Sequence, residues 1–414
     1  MKQRINRHGA ARPTPNVAVS VRIDKVVAEG DGFGHLEDGR VIFVEGGLPG
    51  ELVSARIVKQ SKDYARAIAV EILEPSAQRV VPPCEYVAQG CGGCDLQHAS
   101  IDLQRQIKLD IVRESLTRLG KIAAPDIRLF ASGELPITGA RTTLRVAATP
   151  SGSVGFRQRQ SHLVVNVEHC LVAHPSLNAL LPTTHLEGAQ EAVLRVGVSS
   201  AERLAWSEPA DSLSGLPVDV RLGPLAIVHE VVAGHIFQIS ASSFFQSSPQ
   251  AAEALVDATR RALGDSAQWA AGPVVDAYSG VGLFAATVFP SDRHVIAIES
   301  NPAACSDARL NLAELDVEIV QQPVEEWVPV AAAVVVADPA RDGLRASGVE
   351  VLVATQASVI VLISCDPASL GRDARLLRDR GYVLEYSEVL DLFPHTHHVE
   401  VVSRFVRDES MELL

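Results

Sequence analysis

Apolar and polar residues alternate in the first part of the chain, in a pattern typical of short β-strands. Residues 17–23 alternate most clearly, and further strands are predicted at the apolar run 41–44 and at 51–58 and 65–72. The glycine-rich turn 46–50 follows the second of them. Several short strands at regular spacing predict an OB-like β-barrel over residues 16–75, preceded by a disordered tail at residues 1–15.

The pattern changes in the last third of the chain, where apolar runs alternate with helical periodicity. Buried strands are predicted at 273–277, 294–298, 334–337 and 359–364, and helices at 303–315 and 370–380. This alternation is typical of a parallel sheet with helices on both faces. We therefore expect a Rossmann-like, doubly wound domain over residues 236–414.

The middle of the chain combines one helix with a second set of strands. Helical periodicity runs from Ile101 to Leu119, and alternation returns between Thr142 and Val167. Prolines at 75, 82 and 83 separate this part from the barrel. The fold class is thus α/β and multidomain, with a central β-rich domain over residues 76–235.

Composition supports a folded protein. Hydrophobic residues make up 47% of the 414 residues and charged residues 21%, which excludes a disordered chain. An apolar run long enough to span a bilayer, about 18 uncharged residues, is not found. The N-terminus has no apolar segment of the secretory type. We expect a cytoplasmic protein without a membrane partner, and no obligate protein partner is inferred.

The net charge of −13 hides an asymmetry. Residues 1–170 hold 22 basic and 18 acidic side chains, a net charge of +4, whereas the remainder carries −17. If the partner is nucleic acid, the first half should supply much of the phosphate contact. Barrels of this type often bind single-stranded nucleic acid, but many are purely structural.

Four of the six cysteines have the spacing of a metal site. Cys84, Cys91 and Cys94 form C-x6-C-G-G-C, and Cys170 follows well downstream. Four thiolates can hold either zinc or an iron–sulfur cluster. Spacing alone favours zinc, because C-x2-C knuckles are common in structural zinc sites.

A glycine turn after the first strand of the last domain predicts a nucleotide site. Gly280 and Gly282 lie between that strand and a helix, and Glu299 ends the next strand. An acidic residue there can accept hydrogen bonds from both ribose hydroxyls. The short turn lacks the third glycine of the dinucleotide motif, which favours S-adenosylmethionine over NAD.

Reactive side chains are predicted at the carboxyl ends of later strands, where open sheets place their chemistry. Cys365 follows the run 359–364 and is a candidate nucleophile, whereas Cys305 lies within a helix and is expected to be structural. Glu400 precedes a last strand. The histidines in 395–398 are expected to form a turn of polar contacts rather than a metal site.

Together these motifs resemble the RNA uracil-5-methyltransferase family over nearly the whole chain. The resemblance implies a TRAM domain at residues 16–75 and a [4Fe-4S] cluster on the four cysteines, in place of zinc. The resemblance also implies a role for each of the other site residues, according to the family motif in which that residue lies. These roles are S-adenosylmethionine contacts for Gln246, Tyr278, Gly280, Gly282 and Glu299, cofactor or base binding for Asp338, attacking thiolate for Cys365 and general base for Glu400.

The chain departs from the family motifs at Ser248, where asparagine is usual, at Ala340, which replaces the second proline of its motif, and at Asp366, which replaces an asparagine next to the nucleophile. None of these removes a catalytic group, so they bear on substrate preference. The leading hypothesis is methylation of uridine C5 in 23S ribosomal RNA, with transfer RNA as the alternative. Two hypotheses from other classes are a non-catalytic RNA-binding iron–sulfur protein and a methyltransferase of a small quinone-like or protein substrate.

Overall fold

The computed structural model describes residues 18–130 and 135–408. The tail predicted at residues 1–15 lies outside this range. The chain divides into two compact units. One comprises the residues up to Val81 with His98–Ser100, and the other comprises Pro82–Gln97 and the chain from Ile101 onward.

The first unit contains a closed five-stranded barrel with the strand order β1-β2-β3-β5-β4. The strands are β1 (Ala18–Val26), β2 (Gly32–His35), β3 (Val41–Glu45), β4 (Leu52–Gln60) and β5 (Tyr64–Glu74). Alternate residues such as Val21, Ile42 and Val53 fill the interior and are at most 1% exposed. The predicted barrel is confirmed.

Strand β2 was not predicted, because glycines take the place of its inward apolar residues. A Cβ atom at Gly34 would lie 2.4 Å from the Arg22 carbonyl oxygen of β1. Close approach of the two backbones therefore requires glycine here. A strand with glycines at its inward positions lacks alternating apolar side chains, so the sequence pattern does not predict it.

The second unit begins with the cysteine-rich segment and a long helix. The elements are α1 (Glu85–Ala88), α2 (Ile101–Arg118) and β6 (Ile127–Leu129). The predicted helix is confirmed as α2, and it buries Ile107, Ile111 and Leu116.

The middle of the chain is rich in strands, as predicted. It consists of β7 (Thr143–Ala148), β8 (Val154–Arg157), β9 (Val164–Asn166), α3 (Pro175–Asn178), β10 (His185–Leu186), β11 (Glu191–Val196), β12 (Arg203–Ser207), β13 (Leu213–Ser214), β14 (Val220–Leu222), β15 (Ile227–Val232) and β16 (His235–Ser240). Six strands form one sheet, in the order β14-β12-β11-β7-β8-β9. β10 pairs with β13 and β15 pairs with β16.

The rest of the chain forms an eight-stranded sheet with helices. Its elements are α4 (Pro249–Leu263), β17 (Val274–Ala277), α5 (Leu283–Thr287), β18 (Val295–Glu299), α6 (Pro302–Asn311), β19 (Val317–Gln321), β20 (Val334–Ala337), α7 (Arg345–Ala354), β21 (Val359–Ser364), α8 (Pro367–Arg378), β22 (Tyr382–Leu390) and β23 (Glu400–Arg407). The strand order is β19-β18-β17-β20-β21-β23-β22-β6. The first five strands are parallel, and β23 runs antiparallel to both neighbours.

Both faces of this sheet are covered, because successive strand residues point to opposite sides. Val274 belongs to the hydrophobic cluster that contains residues of α4, α5 and α6, whereas Val275 belongs to the cluster that contains residues of α2, α7 and α8. The doubly wound prediction is confirmed. Two elements from earlier in the chain complete this fold. Strand β6 joins the sheet by pairing with β22, and α2 packs against α8. Within the described residues, no helix is long and apolar enough to span a bilayer.

Candidate active site

The glycine turn and the acidic strand end meet at one edge of the sheet. Strands β17 and β18 are parallel neighbours. The Gly280 N–H donates to Oε2 of Glu299 at 2.9 Å, and the Asn301 N–H donates to Oε1 at 2.6 Å. Gly280 has a φ of 56°, and an added Cβ there would meet no atom within 4 Å. The turn therefore presents open backbone beside a fixed carboxylate, which suits a nucleoside ligand.

Gly282 is required for a different reason. Its φ of 92° lies in the left-handed region, and a Cβ there would come within 2.8 Å of the Leu312 side chain. This residue caps α5 and allows the helix to start directly after the turn. The glycine thus secures the strand-to-helix geometry rather than space for a ligand.

Tyr278 also has a left-handed φ, of 62°. Its hydroxyl donates to Oε1 of Glu325 at 2.8 Å, and burial together with this carboxylate raises the pKa of the phenol. The hydroxyl is therefore directed toward the 324–326 turn, and the ring is the part left to contact a ligand.

Two aspartates lie at the ends of the central strands. Burial raises the pKa of Asp276, on β17, to about 8, and one of its carboxylate oxygens is buried without a hydrogen-bond partner. Burial also raises the pKa of Asp338, directly after β20, to about 7. Asp276 was not among the predicted site residues, although a charge inside the apolar run Val274–Ala277 was an available signal.

Strand register brings the two predicted catalytic side chains together. Ser364 of β21 pairs with Val401 of antiparallel β23. Cys365 directly follows β21 and Glu400 is the first residue of β23, so this pairing places them near each other although they are 35 positions apart in sequence. The Glu400 side chain is buried, at 5% exposure.

Several titratable groups lie at this edge of the sheet, and their charged forms repel one another. Burial, together with the charges of Glu400 and Asp338, raises the pKa of the Cys365 thiol to about 12, and the charge of Arg341 opposes this shift. Burial and Asp338 hold the pKa of Glu400 well above its usual range. Among residues 18–130 and 135–408, no ion-pair partner is found for Glu400. Buried, mutually repelling groups of this kind mark functional sites.

Gln246 lies elsewhere, in the loop between β16 and α4. It is 6% exposed and lines a small cavity with Arg195, Glu230 and Phe245. The loop is held by buried Asp307 of α6, whose Oδ2 accepts from the Ser243 hydroxyl at 2.6 Å. The described contacts do not bring Gln246 to Cys365 or Glu299.

Arg195 was missed by sequence reasoning. The buried guanidinium donates to the Ser240 carbonyl oxygen at 2.7 Å and to that of Ser243 at 2.8 Å. It thereby fixes the loop that carries Gln246. Burial lowers its pKa to about 10, and Asp307 opposes this shift. A lone arginine in a strand gives no sequence signal for this role.

Two of the departures from the family motifs are helix caps. Ser248 caps α4 by accepting from the Ala251 N–H at 3.1 Å. Asp366 caps α8 by accepting from the Ser369 N–H at 2.7 Å, and α8 therefore starts three residues before the predicted helix. Serine, aspartate and asparagine cap helices about equally well. Ala340 is exposed.

The four predicted metal-binding cysteines lie in one region. Burial raises the pKa of Cys91 and Cys170, and neighbouring cysteines raise it further. Burial raises the pKa of Cys94 to about 12. Gly92 is needed between them, because a Cβ there would lie 2.6 Å from the Arg159 backbone nitrogen.

No compact metal site is formed by these thiols. Over the residues that the structure describes, three or more His, Cys, Asp or Glu side chains do not come close enough to hold one metal ion. The metal assignment therefore stays a prediction from the sequence and the family resemblance.

The histidine segment forms polar contacts, as predicted. The His395 N–H donates to Oε1 of Gln104 at 2.7 Å, and the His397 ring is hydrogen-bonded to the Asp95 carboxylate. The rings of His397 and His398 have centroids 4.3 Å apart. Burial lowers the pKa of His398 to about 4, so this ring is neutral at pH 7.

Comparison with known proteins agrees with this architecture. Residues 17–70 match the TRAM domain family. The chain is 34% identical to an RNA methyltransferase of Streptomyces avermitilis, over 92% of this chain and 96% of the relative. It is 31% identical to the 23S rRNA (uracil(1939)-C(5))-methyltransferase RlmD of Halomonas elongata, over 91% and 87% of the two chains.

A solved structure shows the same fold. The tRNA (uracil-54, C5)-methyltransferase of Pyrococcus abyssi, in complex with S-adenosyl-L-homocysteine, superposes with a TM-score of 0.69 at 24% identity. The match covers 93% of this chain and all of that one. The chain belongs to the RNA uracil-5-methyltransferase family.

Proposed function

We propose that the protein methylates C5 of a uridine in RNA, with S-adenosylmethionine as the methyl donor. The observation that carries this proposal is the pairing of Ser364 with Val401, which brings the adjoining Cys365 and Glu400 near each other and within the electrostatic influence of Asp338, at the sheet edge that also holds the Gly280–Glu299 turn. A nucleophile and a base lie together beside a nucleoside site. Methyl transfer to oxygen or nitrogen has no need of a nucleophilic thiol.

The chemistry follows from the poor nucleophilicity of uracil C5. The Cys365 thiolate adds to C6, which makes C5 an enolate carbon able to attack an electrophilic methyl group. Bound S-adenosylmethionine supplies that methyl group on its sulfonium centre. Glu400 then removes the C5 proton, the C6–S bond breaks, and the thiolate leaves. The positive charge of Arg341 favours the thiolate form of Cys365.

The nucleoside end of the cofactor is assigned to the glycine turn. Glu299 would accept hydrogen bonds from the ribose, Gly280 and Gly282 would allow close approach, and the Tyr278 ring would flank the ligand. Gln246 and Asp338 are assigned to the methyl-donor end or to the base. Support comes from the Gly280–Glu299 contact and from the burial of Asp338.

RNA contact is assigned in part to the barrel. Phe33 and Phe43 are cross-strand neighbours on β2 and β3 with ring centroids 6.0 Å apart, and Tyr64 lies 6.0 Å from Phe43. Lys25 lies over Phe33 and Arg66 over Phe43. Partly exposed rings interleaved with cations suit stacking of single-stranded bases, and strands 2 and 3 are the usual ligand face of an OB barrel.

The cysteine site is assigned to a [4Fe-4S] cluster held by Cys84, Cys91, Cys94 and Cys170. Four thiolates can hold either zinc or a cluster, and the family resemblance favours the cluster. The mutual effect of these thiols on their pKa values supports a common site. The cluster would stabilise the fold and is not required for polar methyl transfer.

The activity is tested with RNA from a strain that lacks 5-methyluridine. The protein should transfer labelled methyl groups from S-adenosylmethionine to ribosomal RNA, and sequencing should place the label on one uridine. Labelling of transfer RNA instead would select the alternative substrate. Cys365→Ala should bind RNA and transfer nothing. RNA binding by the wild type without any transfer would favour the non-catalytic alternative.

The cluster is tested by metal analysis after anaerobic purification. About four irons per chain are expected, and Cys170→Ser should lose them and destabilise the surrounding fold. Cys305→Ser is the matched control, because Cys305 is a buried cysteine of α6 outside this group. Stoichiometric zinc without iron would refute the assignment.

A further inference from the structure

The loop that leads into Glu400 is fastened to the cysteine-rich segment. Residues 391–399 connect β22 to β23, and the two ends of the loop are paired, Leu390 with Glu400. The position of the Glu400 side chain therefore depends on how this loop is held. We call residues 391–399 the base loop.

Helix α2 holds the first part of the base loop. The buried Lys108 ammonium donates to Oδ1 of Asp391 at 2.6 Å and to the Phe393 carbonyl oxygen at 2.8 Å. Gln104, also fully buried, accepts from the His395 N–H. These contacts end five residues before Glu400.

The cysteine-rich segment holds the second part. The Leu96 N–H donates to the His395 carbonyl oxygen at 2.9 Å. Oδ1 of Asp95 accepts from the His397 N–H at 2.9 Å, and its other oxygen is hydrogen-bonded to Nδ1 of the His397 ring. The Asp95 side chain is 9% exposed, so its contacts are shielded from solvent. His397 is three residues from Glu400.

We propose that Asp95 is a positioning residue for Glu400, acting through His397 and the base loop. This inference rests on the proposed function, in which Glu400 removes the C5 proton. Cys365 is held differently, by β21 and by the α8 cap of Asp366. Loss of the Asp95 contact should therefore displace the base while leaving the nucleophile in place.

We expect loss of the Asp95 contact to slow the late steps of the reaction and to leave the early steps unchanged. In Asp95→Ala, Cys365 still adds to C6 and C5 still takes the methyl group, but proton removal and breakage of the C6–S bond are delayed. A displacement of about 1 Å can slow a step by roughly 100-fold. RNA should accumulate as a covalent adduct that survives denaturing electrophoresis and decays 10- to 100-fold more slowly than in the wild type.

A second readout is the isotope effect with RNA carrying deuterium at C5. Slowed proton removal should raise this effect in Asp95→Ala, whereas a general loss of folded protein would lower the yield and leave the effect unchanged. His397→Ala, which leaves the cysteine segment intact, should behave similarly. The double variant should be no worse than either single one, because the two residues act through one contact. Asp110→Ala, an exposed carboxylate of α2 paired with Arg113, is the control.

The outcomes separate this proposal from the proposed function. If wild-type protein forms no adduct and methylates no RNA, the proposed function fails. If the wild type is active but both variants show wild-type adduct decay and isotope effect, Asp95 does not position the base. Iron content and circular dichroism of each variant show whether the fold was retained.

Discussion

Two buried glutamates show how differently one side chain is used in the two units. Glu51 in the barrel unit is fully buried and ion-paired with Arg79 at 2.6 Å, and it also accepts the N–H groups of Leu48 and Ser76. Burial alone would raise its pKa, but Arg79 and these N–H groups hold the pKa below its usual value. Glu400 in the other unit is buried among groups that repel its charge, and its pKa is well above the usual range.

The difference distinguishes a structural carboxylate from the one that we propose as the catalytic base. A buried charge that has a cation and several donors stabilises its fold, whereas a buried carboxylate without them costs stability. A destabilising buried carboxylate at a sheet edge, beside a thiol, therefore indicates a candidate catalytic site. The following predictions test this contrast.

The largest effect is expected from Glu400→Gln. Loss of the base should lower turnover by roughly 10²- to 10⁴-fold. Because Cys365 still attacks, RNA should remain attached to the protein as a slow band in denaturing gels, dependent on S-adenosylmethionine. The band should vanish in the double variant with Cys365→Ala. Wild-type turnover by Glu400→Gln would mean that another group is the base.

Glu51→Gln should act on stability alone. Breaking a buried ion pair costs about 3 kcal/mol, since Arg79 loses its partner. Hydrogen exchange of the barrel amides should therefore accelerate, while the affinity for S-adenosylmethionine stays the same. Asp38→Asn, at an exposed pair with Arg40, should leave exchange nearly unchanged. Equal protection in both variants would contradict a structural role for Glu51.

The two sites should also differ in pH dependence. The pKa of Cys365 is raised, and the proposed mechanism uses its thiolate, so methyl transfer should rise with pH through the neutral range, by at most tenfold per unit. Turnover also needs the deprotonated form of the proposed base Glu400, whose pKa is raised too, so turnover should rise by at most 100-fold per unit. The pKa of Glu51 is lowered, so its contribution to stability is present above about pH 4.5 and is lost on acidification below that.

A substitution of Arg341 provides a second test of the pH dependence of the rate. It is a cation that lowers the pKa of Cys365, and Arg341→Gln should therefore move the rate profile to higher pH. Arg345→Gln, at an exposed pair with Asp342, should not move it. An unchanged profile in Arg341→Gln would remove Arg341 from the activation of the thiol.

The smallest effect is expected from Asp366→Asn, which restores the asparagine of the family next to the nucleophile. Both residues cap a helix, so stability should change by less than about 0.5 kcal/mol. Asp366→Ala should cost about 1 kcal/mol, and thermal unfolding measures both. A large change in turnover by Asp366→Asn would give this carboxylate a role beyond the cap.

Much of the fold could be predicted, because alternation and apolar runs report which residues face a core. Strand β2 could not, since glycines at 32 and 34 leave no apolar pattern. Cys365 and Glu400 were identified from motifs, but only the pairing of β21 with β23 shows that they are adjacent. The Asp95–His397 contact joins residues 302 positions apart, beyond any local signal. The domain boundaries near residues 75 and 235 stay predictions.

Strand β6 has a consequence for how the protein is made. Ile127 pairs with Ser387, 260 positions further along the chain, and α2 covers one face of the same sheet. During synthesis, residues 101–129 must therefore wait for β22 and β23 to leave the ribosome before they can dock. A fragment that starts at residue 236 would expose the free edge of β22, a template for strand pairing between molecules. Supplying residues 101–130 as a separate peptide should restore its solubility.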